Sequence, residues 1–413
     1  MLFKRCIWYL LLIYLLALAA CNGESDLPPT LPLAPTPGEQ VAGTGTAVAT
    51  PTSIATTNAS EPTATLPPPP TMPPAATAAE PTATATAEPL LLVTAEDFGS
   101  ERNPLTGELV DDPVVLQRRP FTVKLSNSPA EFTRPQSGLN EADIVYEHTT
   151  EGYITRFTAI FYGHTPEKVG PIRSARLIDV ELPAMYDAAL FYSGSSVGVG
   201  NRLRNSDFRE RVFSERAESG FYRTGEAKPW EHTLYGRPAE FWQAIEERDL
   251  NRPPQFQTFM AFSDFVPEGG VPSGGVMIDH SWTEIEWQYD AAIGRYRRWS
   301  DEEIHRDGNT GEQVTAANVI LVFPFHVLDS TICEQIAQDG TCVHLSVQIQ
   351  LWGSGDAIVL RDGQRFDVVW HREGRNDMLT FTDQAGNPFP LKIGNSWVQV
   401  IPDWLDNPVT ILE

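Results

Sequence analysis

Arg173 and Arg176 stand three residues apart, just after Pro171. On a short helix opened by that proline, both guanidinium groups would leave one face beside the first turn. Free backbone N–H groups and the helix dipole would add to two forked donors there, so a carboxylate or phosphate could be held at both oxygens. Glu147 and Glu151 share strand parity upstream, with Arg156 facing them, and the same charges can equally form a structural ion-pair network whose geometry offsets its desolvation. Both readings stand on the residues alone. Together with Arg134, these six groups define one expected polar cleft for an anionic or peptide-like ligand, and Asn127, Gln136, Ser174, Ser196 and His232 complete the candidate ligand set.

Other chemistries fit less well, and no catalytic residue is assigned. Gly194-Ser-Ser196-Val-Gly198 matches the spacing of a nucleophile elbow and follows an expected strand, but no Gly-rich oxyanion loop precedes it. Glu147 and Glu151, four positions apart on one strand, would lie about 13 Å from each other, too far for a glycosidase pair; Glu231 is a third candidate acid, and a pairing across strands stays open without support. No His-Glu-x-x-His, His-x-His or calcium-loop pattern occurs, so neither a metal nor a cofactor is expected. His148, His164, His232, His280 and His371 read as surface or hydrogen-bonding residues. Seven tryptophans of the last third, Trp282, Trp287, Trp299, Trp352, Trp370, Trp397 and Trp404, read as core or packing residues ahead of a sugar-stacking face.

The compartment is legible at the N-terminus. Lys4-Arg5 precede an apolar run from Cys6 to Ala20 that is short for a membrane span and ends in Leu18-Ala-Ala-Cys21, the pattern of a lipoprotein signal. The expectation is a signal peptide over 1–20, lipid on Cys21, and a membrane-anchored protein facing the extracytoplasmic side. From Asn22 to Thr94 the chain is mostly Pro, Thr and Ala without Lys or Arg, which predicts a disordered, partly polyproline stalk over 21–95. A formal net charge of −24 argues against nucleic acid or an anionic surface as partner. Of four cysteines, Cys333 and Cys342 remain after Cys6 and Cys21 are accounted for, and outside the cell they predict a disulfide.

The elements that must position these groups fall into two parts. Over 96–270 strand and helix signals mix. Phe121 to Leu125 alternates, Ile144 to Tyr162 reads as a hairpin broken at Gly152, and Leu177 to Tyr186 looks partly helical. Ala189 to Tyr192 reads as a buried strand, and Pro238 to Arg248 as an amphipathic helix with Phe241, Trp242 and Ile245 inward. Beyond the Gly/Pro cluster Pro267 to Gly275, the part 271–413 is a succession of short strands: Val276–Ile278, Glu284–Tyr289, Tyr296–Trp299, Asn318–Phe323, His344–Leu351, Ala357–Leu360, Phe366–His371 and Trp397–Ile401. The predicted fold class is therefore α+β, a mixed α/β first domain followed by a mainly β second one.

Asn103-Pro-Leu-Thr-Gly107 and Arg119-Pro-Phe-Thr-Val-Lys-Leu-Ser-Asn127 resemble the YerB-like lipoproteins. So do Arg134-Pro-Gln-Ser-Gly-Leu-Asn-Glu-Ala-Asp-Ile-Val-Tyr-Glu147, Glu151-Gly-Tyr-Ile-Thr-Arg-Phe157 and Gly170-Pro-Ile-Arg-Ser-Ala-Arg176. The likeness continues through Thr310-Gly-Glu-Gln-Val-Thr-Ala-Ala-Asn-Val319, Gly353-Ser-Gly-Asp-Ala357 and Gly394-Asn-Ser-Trp-Val-Gln-Val-Ile-Pro402. The resemblance implies a cell-envelope lipoprotein with a two-part ectodomain, associated with cell-wall synthesis proteins, and brings no established reaction. It departs where this chain has Glu231-His-Thr-Leu-Tyr235 for Pro-His-Asn-Leu-Tyr, and Gly194-Ser-Ser196 for Gly-Gly-Ser. The functional expectation is a non-catalytic binding or regulatory module at the wall. A wall-directed hydrolase using the same cleft and an extracellular solute-binding protein are the alternatives.

Overall fold

The computed structural model describes residues 92–216 and 219–413; the leader, Cys21 and almost all of the expected stalk lie outside the described residues. The alternating runs of the first half become β1 (Phe121–Ser126), β2 (Ile144–Thr149), β3 (Thr155–Phe161) and β4 (Ala189–Tyr192), followed by β5 (Val212–Ser214), β6 (Phe221–Arg223) and β7 (Leu234–Gly236). Its α-helices are α1 (Ala130–Thr133), α2 (Leu182–Met185), α3 (Val197–Arg204) and α4 (Pro238–Glu247). After α4 the described regular elements are all strands: β8 (Ala261–Phe262), β9 (Val271–Pro272), β10 (Gly275–Asp279), β11 (Glu284–Asp290), β12 (Arg295–Ser300), β13 (Glu303–Ile304), β14 (Thr315–Ala316) and β15 (Asn318–Val322). The series continues with β16 (His326–Ile336), β17 (Cys342–Ile349), β18 (Gly353–Arg361), β19 (Gln364–Arg372), β20 (Thr380–Thr382), β21 (Pro390–Leu391), β22 (Ser396–Val400) and β23 (Val409–Leu412). The fold is thus α/β followed by mainly β.

The two halves share one sheet. Its order is β20-β19-β18-β15-β22-β2-β3-β1-β4-β5, with β9 added beside β19. β22 lies parallel to β2 on one side and to β15 on the other, with Tyr146 and Ile320 both paired to Val398. A late strand therefore closes the seam between the halves.

Because side chains alternate along a strand, the sheet has two differently covered faces. Phe121, Val123, Leu125, Val145, Phe157 and Ala159 point to a front face, where Phe241, Trp242 and Ile245 of α4 and Val276, Ile278, Ile285 and Trp287 of the second sheet bury them. That sheet runs β13-β12-β11-β10-β23, with β14 beside β12. Ile144, Tyr146 and Ile160 point to a back face, packed by Leu182, Met185 and Tyr186 and by Val347 and Ile349 of the β16–β17 hairpin. Cover on both sides is why every residue of β1, β2 and β3 is buried, polar ones included.

The helix expected from Pro171 does not form. Ser126 N–H donates to Pro171 O, Arg173 N–H to Lys124 O and Ile172 N–H to Leu234 O, so the segment is extended between the end of β1 and β7. Its backbone groups are taken by neighbours. A 3-10 turn begins only at Leu177, with Arg176 as its N-cap residue. The β16–β17 hairpin forms an arm of its own, joined near its tip by the Cys333–Cys342 disulfide. Ile332 of this arm packs with Leu177, Val199 and Leu203, so the second half grips the first.

Candidate functional site

The sheet divides the candidate residues between its faces. On the front face Glu147 is fully buried in β2. Its Oε1 accepts from Thr155 Oγ1 (3.0 Å) and Asn127 Nδ2 (3.3 Å); its Oε2 accepts from Arg298 (2.8 Å), Gln399 Nε2 (3.1 Å) and Trp397 Nε1 (3.2 Å). Arg298 also donates to His305 Nδ1 at 2.5 Å, which leaves His305 Nε2–H to donate to Gln136 Oε1 at 2.7 Å. Gln136 Nε2 returns to Asn127 Oδ1 at 3.1 Å and closes the circuit. Burial, reinforced by Arg298, holds His305 well below the ordinary imidazole range. Arg134 lies beside this network, its charge acting on Arg298 and His305, but it makes its own pair with Asp301 at 2.7 Å and donates to Ser300 O.

On the back face Glu151 lies not in a strand but in the 3-10 turn of the hairpin, so its expected strand parity with Glu147 does not hold. It is gripped at both oxygens by Arg176, with Arg156 at 3.7 Å. Burial would raise its pKa, but the hydrogen bonds and charge of Arg176 hold it below the usual carboxylate value. Arg156 donates to Ser174 O at 2.8 Å, and Arg176 also faces Glu334 of the arm at 3.6 Å. Deeper in the same face Lys124 is fully buried against Asp179 (3.0 Å), Thr158 (2.7 Å) and His148 Nε2 (2.6 Å). Burial pushes its ammonium down to about 8.

Arg173 differs from its neighbours. Its Nε is buried without a hydrogen-bond partner, and no described carboxylate reaches it as an ion pair; Glu231 is the strongest opposite charge acting on it. Burial lowers its pKa, as burial followed by the charges of Arg176 and Arg173 lowers that of Arg156. His232 is buried near Arg173, stacked on Phe132 with ring centroids 5.7 Å apart, and its Nδ1 has no partner. The structure therefore brings Glu151, Arg156, Arg173, Ser174, Arg176 and His232 together. It places Asn127, Gln136 and Glu147 behind the sheet from them. The six charged groups do not line one cleft.

Ser196 sits between β4 and α3, the strand–turn–helix context of an elbow, but its backbone is relaxed (φ −61°, ψ 161°) and its hydroxyl caps α3 by accepting from Val199 N. Among the tryptophans, Trp287, Trp370 and Trp397 are core, whereas Trp282 and Trp352 reach solvent. Sequence reasoning missed Lys124, Asp179, Arg298 and His305. Arg298 carried a signal, since it shares inward parity with buried Tyr296 in β12.

A sheet built from both halves, sealed by one polar network and rimmed by a second, defines a two-part α/β–β protein. Residues 105–251 match "Protein of unknown function (DUF3048) N-terminal domain" and residues 276–398 the C-terminal domain of the same family. The chain belongs to this family. It is 32% identical over 309 residues to "Putative lipoprotein YerB" of Bacillus subtilis (strain 168), covering 73% of this chain and 86% of that one. The crystal structure of YerB protein from Bacillus subtilis superposes with a TM-score of 0.61 at 29% identity, over 76% of this chain and 99% of that one.

Proposed function

We propose that this chain is a cell-envelope lipoprotein, anchored through Cys21 after removal of 1–20 and carried on a stalk over 21–95. The parts 96–270 and 271–413 then act as a non-catalytic binding or regulatory module at the cell wall. The name of the Bacillus subtilis relative supports the anchor. Changing Cys21 to Ser should move the protein from the membrane to the soluble fraction, and persistent membrane association would refute the lipid.

The observation that carries the binding role is Arg173. In a protein of net charge −24, three guanidinium groups converge on the back face, two of them engaged by Glu151 and Ser174 O and one left over. A buried donor without a partner costs free energy, and an arriving anion would recover it. Arg173 is therefore the ligand contact, and Arg176 is the residue that holds the site's shape. Affinity capture from membranes with the full chain tests this. Arg173→Gln should reduce the captured partner by about tenfold or more, with unfolding unchanged; equal capture by both proteins would remove the reading.

A further inference from the structure

We infer that Arg173 and the turn Trp230–His232 form a subsite for a saccharide bearing a single carboxylate, which rests on the reading of Arg173 as an anion contact. Trp230 is 70% exposed, an unusual place for an indole that is nonetheless held still. Arg223 lies over its ring at 3.8 Å and donates to its carbonyl oxygen and to Thr233 Oγ1, while Glu215 fixes Arg223 at 3.0 Å. One face of the indole is thus closed by a guanidinium and the other is presented to solvent, a rigid platform for the C–H face of a pyranose ring.

The neighbouring groups narrow the ligand. Glu231, next in sequence, is exposed and is the main opposite charge acting on Arg173. A carboxylate there repels a polyanion such as a phosphate polymer, as does the charge of the whole chain, but it accepts hydrogen bonds from hydroxyl groups. His232, buried with a free Nδ1, offers a further polar contact in the same turn. Hydroxyl donors for Glu231, one anionic group for Arg173 and a flat apolar face for Trp230 coincide in a sugar acid.

Titration of the full chain in detergent with N-acetylmuramic acid, N-acetylglucosamine, lactate and inorganic phosphate, followed by saturation-transfer NMR, tests this. N-acetylmuramic acid should bind best and lose about tenfold in affinity in both Trp230→Ala and Arg173→Gln. N-acetylglucosamine should respond only to the first variant and lactate only to the second. Trp230→Phe, which keeps a ring, should retain most of the affinity, separating stacking from misfolding. If lactate and phosphate bind through Arg173 while no sugar responds to Trp230→Ala, the saccharide class falls and the anion site stands. If Arg173→Gln changes none of the four, both fall.

Discussion

The front network around Glu147 and the back cluster around Glu151 are made of the same residue types on neighbouring positions of one hairpin, yet they end differently. Glu147 receives five donors, three of them from the second half of the chain. Arg298 Nε and Gln399 Oε1 make no hydrogen bond there, but Arg298 is ion-paired to Glu147 at 2.8 Å and the members of the circuit are sealed between layers. The back cluster has one more guanidinium than its carboxylates and carbonyls occupy, and the charges of Glu231 and His232 in the Trp230–His232 turn act on it. Buried charge paired by a carboxylate fixes how two halves dock; the proposed binding role draws on the guanidinium that no carboxylate pairs.

The comparison breaks most visibly at Glu147. Glu147→Ala strands the Arg298 guanidinium between layers that seal it from solvent, so unfolding in urea should show a loss of about 3–5 kcal/mol. A loss under about 1 kcal/mol would mean that the front network does not hold the halves together. Acid should attack both faces. His148 in the back cluster and His305 in the front are held well below the ordinary imidazole range by burial, and His326 is pushed down to about 4. The native protein keeps them neutral while the unfolded chain protonates near 6.5, so the unfolded state binds more protons across pH 6.5 to 4. Stability therefore falls as pH drops through that window, by about 3 kcal/mol for His326 alone. Urea midpoints that stay level from pH 7 to 5 would contradict this.

How much of this was legible in the sequence depended on range. The β2–β3 hairpin, β4 and α4 were readable because their apolar positions recur at short spacing, with Phe241, Trp242 and Ile245 inward as expected. The seam was not, because β22 pairs with β2 some 250 residues away and no local pattern records a parallel neighbour. β16 was missed because Asp329-Ser-Thr and Glu334-Gln interrupt its apolar residues; its hydrogen bonds to β17 and its grip on α3 and the Leu177 turn hold it. Of the candidate site, the grouping into one cleft did not hold. One cleft was expected because alternation was counted through Glu151, where the chain had already left the strand at Thr149.

The arm offers a smaller test of the same contrast. Cys333 and Cys342 close a short loop, and the chain-entropy cost restored by Cys342→Ser is about 2–3 kcal/mol. Since Glu334 and Ile332 sit beside the bridge and touch the back cluster and α3, the loss should fall on that face: hydrogen exchange should rise in β16, β17 and the Leu177 turn while β10 to β12 stay protected. Equal loosening of both sheets would show that the arm is not a separate clasp.

The smallest effect on stability, and the sharpest on the comparison, belongs to Arg173→Gln. A residue holding the fold would cost more than about 1.5 kcal/mol when removed, because its carboxylate partner would be left buried and unpaired. Arg173 has no such partner, and it repels Arg156 and Arg176. Its replacement by a neutral side chain of similar reach should leave the urea midpoint unchanged or raise it slightly, within about 0.5 kcal/mol, whereas Arg176→Gln should lower it by releasing Glu151 and Glu334. If the two substitutions destabilise equally, the back cluster is bound up in the fold to the same degree as the front one, and the surplus charge that distinguishes them is not a binding site.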